Sequence, residues 1–81
     1  MSAPSDDVTR VAAALRRYLR AYPQSADTVE GIRRIWLADC AAAQRPAVLA
    51  AALERLVRAG ELERLALPDG RVVFRGPARP R

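Results

Sequence analysis

At 81 residues the chain has the length of one small domain, and its 51% hydrophobic content excludes a disordered tail, although alanine supplies much of that fraction. The net charge is +5 and all 14 basic residues are arginine, a balance that fits either a phosphate-bearing partner or the Ala- and Arg-rich usage of a GC-rich bacterial genome. With no histidine and one cysteine, Cys40, the chain excludes Ser-His and Cys-His nucleophile pairs, an intrachain disulfide and a thiolate zinc cluster.

The chain opens on Met1 to Asp7, small and polar, read as a flexible lead-in. It lacks the basic start and apolar run of a signal peptide, and no apolar stretch is long enough to span a bilayer, so a cytoplasmic location is expected. Ser5, Asp6 or Asp7 can cap a first helix, the aspartates complementing its positive end. Val8, Val11, Ala12, Leu15, Tyr18, Leu19 and Tyr22 then trace one helical face, with Arg10, Arg16, Arg17 and Arg20 mainly off it. Pro23 ends the helix, because the residue before a proline avoids the helical region.

Asp27 and Glu30 form a D-x-x-E start for a second helix, whose broad apolar face is Val29, Ile32, Ile35, Trp36 and Leu37. Gly31 in its first turns is expected to mark close packing against a neighbouring helix. Cys40 reads as a small, partly buried thiol. Ala38 to Gln44 has no glycine to force a turn and reads equally as a frayed extension of the second helix or an extra turn before the third.

The third helix is predicted from Pro46 to Ala59, with Val48, Leu49, Ala52, Leu53, Leu56 and Val57 at helical spacing and Gly60 as its stop. A hairpin from Leu62 to Arg75 follows, in one of two registers. A two-residue Asp69-Gly70 turn pairs Leu67 with Val72 and Leu65 with Phe74; a Pro68-Asp69-Gly70 loop with a glycine bulge pairs Leu65 with Val73. The resulting organisation is a flexible N-terminus (1–7), one folded domain (8–75) and a basic, unstructured Pro/Arg tail (76–81). The fold class is mostly α with a C-terminal β-hairpin, an α+β arrangement.

The carboxylates Asp27, Glu30, Asp39, Glu54, Glu61 and Glu63 fall where caps and solvated faces put them, and there is no glycine-rich phosphate loop. No catalytic, cofactor or metal residues are assigned, and a non-enzymatic protein is expected. Three helices followed by a hairpin, with Thr28-Val29-Glu30-Gly31-Ile32 and the run from Ala52 to Leu62 (AL-x-x-L-x-x-x-G-x-L), resemble the winged helix-turn-helix superfamily. The resemblance covers about residues 8 to 75 and implies either DNA binding through the third helix and the wing or a protein-binding derivative of that scaffold.

The outer side of the third helix weighs these options. Base edges are read by Arg, Lys, Asn, Gln, Ser or Thr, whereas this face carries Ala47, Ala50, Ala51, Glu54, Arg55 and Arg58, and only Gln44 and Arg45 precede it. Such an alanine-smooth face suits another protein better. The expected interface residues are Ala47, Ala50, Ala51 and Glu54, joined by Trp36 or Leu37 if either protrudes. The alternative is a DNA-binding regulator whose Arg45, Arg55, Arg58, Arg64, Arg71 and Arg75 line phosphates. The expected partner is therefore another protein of a bacterial assembly, with no cofactor and no membrane; a homodimer through the first or second helix is a further expectation.

Overall fold

The computed structural model describes residues 4–77, so residues 1–3 of the expected lead-in and 78–81 of the expected tail lie outside the described residues. Helix α1 spans Pro4–Ala21 and strand β1 Ala26–Asp27. Helix α2 opens with Val29–Gly31 and continues as a wider π-type turn, Ile32–Trp36. A 3₁₀ turn, Ala41–Gln44, leads into helix α3, Pro46–Arg58, and strands β2, Glu63–Ala66, and β3, Val72–Arg75, close the chain. The three strands form one antiparallel sheet in the order β1-β3-β2. Three helices and a three-stranded antiparallel sheet define an α+β domain, and this order of elements is compatible with a winged-helix-like fold.

The chain is helical from Pro4, so residues 4–7, expected as a flexible lead-in, belong to α1. Proline is well placed at a helix start, where its missing N–H has no intrahelical partner to lose. Val8, Val11, Ala12 and Leu15 are buried against α3, and Tyr18 and Leu19 pack at the edge of the same core. Tyr22, at the end of the stripe, stands 57% exposed because the helix runs out over solvent there.

Helix α2 starts one residue later than the D-x-x-E reading, since Asp27 is held in β1 opposite Phe74. Thr28 is the cap: its Oγ1 accepts a hydrogen bond from the Gly31 amide (3.2 Å). Asp27 in turn accepts from the Thr28 amide (2.8 Å), and its carboxylate lies over Gly31. A Cβ at Gly31 would stand 1.9 Å from an Asp27 carboxylate oxygen, so the glycine makes room for a side chain of the preceding strand and not for a neighbouring helix.

The π-type turn decides which of three consecutive apolar residues is buried. In an α-helix residues advance by about 100°, which would put Ile35 roughly 60° from Ile32 and Leu37 roughly 140° away. Here the Leu37 amide donates to the Ile32 carbonyl (2.9 Å), five residues back, and the turn widens. Leu37 comes to lie above Ile32 on the buried side, and Ile35 swings outward. Ile32, Trp36 and Leu37 are buried; Ile35 is 65% exposed.

Of the two readings left open for Ala38 to Gln44, the structure adopts the extra turn before the third helix, the 3₁₀ turn Ala41–Gln44, and not an extension of α2. The Cys40 amide donates to Leu37 and the Ala43 amide to Cys40, giving two successive short turns. Ala42 and Ala43 are buried beside α1, where only small side chains fit. Cys40 is half-buried with a free thiol.

Helix α3 buries Val48, Leu49, Ala52, Leu53 and Leu56 and ends at a glycine. Gly60 has φ +76°, its amide donates to Val57 (3.0 Å), and the Glu61 amide reaches the Leu56 carbonyl (2.8 Å). These two bonds satisfy the last carbonyls in a Schellman arrangement. The hairpin adopts the second of the two registers: Leu65 pairs with Val73 and Arg64 with Phe74. Pro68 and Asp69 form the turn, Gly70 takes φ +92°, and the Leu67 amide closes the loop on Arg71 (2.7 Å). Turn chemistry outweighs the larger apolar pairing that the shorter loop offered.

Candidate interaction surfaces

The outer face of α3 is as the helical spacing requires. Ala47, Ala50, Ala51, Glu54 and Arg58 are exposed, and Arg55 is half-buried. No polar side chain interrupts the three alanines, so this part of the helix presents a shallow apolar surface that can approach another backbone closely.

The two polar residues before this face are exposed but bonded to other parts of the chain. Gln44 folds back over the end of α2, where its Nε2 donates to the carbonyls of Arg33 (3.2 Å) and Leu37 (3.1 Å). Its Oε1 accepts from the Arg33 guanidinium (3.1 Å). At the end of the helix the glutamine amide thus adds a donor to the Arg33 carbonyl and a second one to the Leu37 carbonyl, which also accepts from the Cys40 amide. Arg45 reaches across to α1 and pairs with Asp7.

Most of the remaining candidate arginines are also engaged. Arg55 donates to the Thr9 hydroxyl (2.9 Å). Arg64 pairs with Glu54 of α3 (2.7 Å) while its guanidinium lies over the Phe74 ring, 5.7 Å from the centroid. At the loop tip Asp69 accepts from both the Arg71 amide (3.0 Å) and its side chain (2.8 Å). Arg75 pairs with Glu63 across the strands (3.0 Å). Of the six arginines expected to line phosphates, Arg58 alone has no hydrogen-bonded or ionic partner among the described residues. The six do not converge into one track of free cations.

Trp36 and Leu37, named in the sequence as interface anchors should they protrude, do not protrude. They are 8% and 3% exposed. Trp36 stacks on Tyr18 with centroids 4.9 Å apart and rings 7° from parallel, and Tyr18 meets Tyr22 at 4.8 Å. The exposed apolar residues of this region are Ile35 and Tyr22, which flank a groove of about 650 Å³ between α1 and the end of α2. Three apolar residues in succession were the sequence signal for such a site. The identity of the outward one depended on a π-type turn that spacing does not reveal.

A second groove, of about 880 Å³, lies where the end of α1 meets β3 and includes Arg16, Leu19, Arg20, Glu61 and Arg75. Arg16 pairs with Glu61 there at 2.5 Å. Across the surface, the Arg33 hydrogen bond first, and then the charges of Arg33 and Arg34, hold the Glu30 carboxyl below its usual range. Among the described residues no three His, Cys, Asp or Glu side chains group as metal ligands, and no helix is long and apolar enough to cross a membrane.

Comparison with protein-family models, with curated proteins and with solved structures finds no match to this chain. Its class is defined by its own topology: an α+β domain of three helices with β1-β3-β2 in one antiparallel sheet.

Proposed function

We propose that this chain is a non-enzymatic winged-helix module that docks another protein against the outer face of α3, as an accessory component of a bacterial assembly. The observation that carries this reading is the start of α3. A base-reading helix needs free donors there, and here Gln44 caps α2 and Arg45 pairs with Asp7, leaving Ala47, Ala50 and Ala51 as the presented surface. Glu54 beside them is paired with Arg64 (2.7 Å), so that arginine is not free for a phosphate backbone. The alternative, a DNA-binding regulator, draws on the +5 charge and on Arg58, but its other five arginines would have to leave their present partners.

A photo-reactive residue at position 51, introduced in the native host, tests the reading. One specific protein adduct is expected, lost when Ala47→Arg is added to block the face. Adducts spread over many proteins, or one unaffected by Ala47→Arg, would contradict it.

A further inference from the structure

The α1–α2 groove carries charges that its own chain leaves unmatched. Arg17 stands on the α1 bank and Asp39 on the α2 bank; both are exposed, and neither has an ion pair among the described residues. For Asp39 this is unusual on this surface, whereas Arg17 shares it with Arg20, Arg55 and Arg58 among the described residues. From Asp7 onward, every other carboxylate either pairs with an arginine or, for Asp27, accepts from a backbone amide. The Tyr18–Trp36 stack joins the two banks, and the exposed Tyr22 and Ile35 side chains flank the groove on the α1 and α2 sides respectively.

We propose that a second copy of the chain covers this groove in a two-fold symmetric dimer. A surface with a cation on one bank, an anion on the other and an apolar strip between them is complementary to itself. A two-fold axis along the groove lays the α1 bank of each copy on the α2 bank of the other, so Arg17 faces the opposing Asp39 bank twice and each Ile35 faces the opposing α1 bank, which carries Tyr22. The outward turn of Ile35, produced by the i to i+5 bond at Leu37, supplies the apolar contact. With only two large exposed apolar side chains per copy, the contact belongs at the weak end of specific interfaces, with half-association at tens of micromolar. The proposal is independent of the α3 face, since the two surfaces share no residue.

Sedimentation equilibrium of the full chain from about 1 µM to about 1 mM reads the result directly. The mass is expected to rise from 8.9 kDa toward twice that value. Ile35→Glu should weaken association at least about tenfold, and Arg17→Asp or Asp39→Arg alone about three- to tenfold. The double swap, Arg17→Asp with Asp39→Arg, should return to within about threefold of the unmodified chain. These positions are exposed, so the variants keep the fold, which circular dichroism checks; Ala51→Arg should leave the dimer unchanged. A chain that stays at 8.9 kDa throughout, an Ile35→Glu variant that associates as before, or a double swap no better than its single parents would overturn the proposal. So would a monomeric chain whose groove cross-links at Ile35 to a different protein.

Discussion

Replacing Gly31 with alanine sets two terms of similar size against each other, and the structure says which wins. Alanine in place of glycine inside a helix gains about 1 kcal/mol from backbone entropy and propensity. At this site, however, the new Cβ would stand 1.9 Å from the Asp27 Oδ1 and 2.1 Å from the carboxyl carbon. The carboxylate must swing away and lose its bond to the Thr28 amide, now 2.8 Å long. A hydrogen bond to a charged acceptor contributes about 1.5–3 kcal/mol, toward the low end here because Asp27 is only half-buried. Gly31→Ala is therefore expected to destabilise the chain by up to about 1 kcal/mol, or about 4–8 °C in Tm. In an Asp27→Ala background the obstruction is gone, and the same substitution should stabilise by about 1 kcal/mol. Urea unfolding of the four proteins gives the coupling directly, expected at about 1–2 kcal/mol. If Gly31→Ala stabilises both backgrounds equally, the carboxylate is not what requires the glycine.

Further substitutions test the other local arguments. Gln44→Ala removes the donor to the Arg33 and Leu37 carbonyls and should cost about 1 kcal/mol, with faster amide exchange confined to the end of α2; unchanged exchange there would refute the capping role. Gly70→Ala meets no steric obstacle, so its expected loss of about 1–2 kcal/mol comes from the positive φ alone, and a neutral result in thermal melts would count against the bulged loop. Because the folded-state pKa of Glu30 is lowered, its contribution is present above its ordinary value of 4.5 and is lost as pH falls through the lower folded value. Denaturation curves of Glu30→Gln should start slightly below the unmodified chain near neutrality and show a shallower stability loss in that acid window, the two converging at its lower end. The effect is small because the pair is solvent-exposed.

The sequence carried the larger elements and missed the short ones for definable reasons. The apolar spacing of α1 and α3, the Gly60 stop and the hairpin all emerge from periodicity and turn chemistry, because each repeats or uses a residue with one strong preference. Strand β1 is two residues long, too short to alternate, and exists because Ala26 and Asp27 pair with β3. The start of α2 shifted by one residue because Asp27 was taken up by that strand. Ile35 faces outward and Leu37 inward because the i to i+5 bonding of the π-type turn rotates everything after it, and no residue type announces that bonding. The α3 face was legible as alanine-rich, whereas the bonds that Gln44 and Arg45 make along the surface depend on long-range partners, the end of α2 and Asp7, that only the fold brings close.

The proposed function requires that the start of α3, where Gln44 and Arg45 are bonded within the chain, does not read nucleic acid. Titration of random-sequence duplex DNA with the full chain at low and moderate salt tests it most directly. No binding is expected at micromolar protein even at low salt. Saturable binding that weakens steeply with salt, and that charge reversal at Arg55 and Arg71 abolishes, would contradict it.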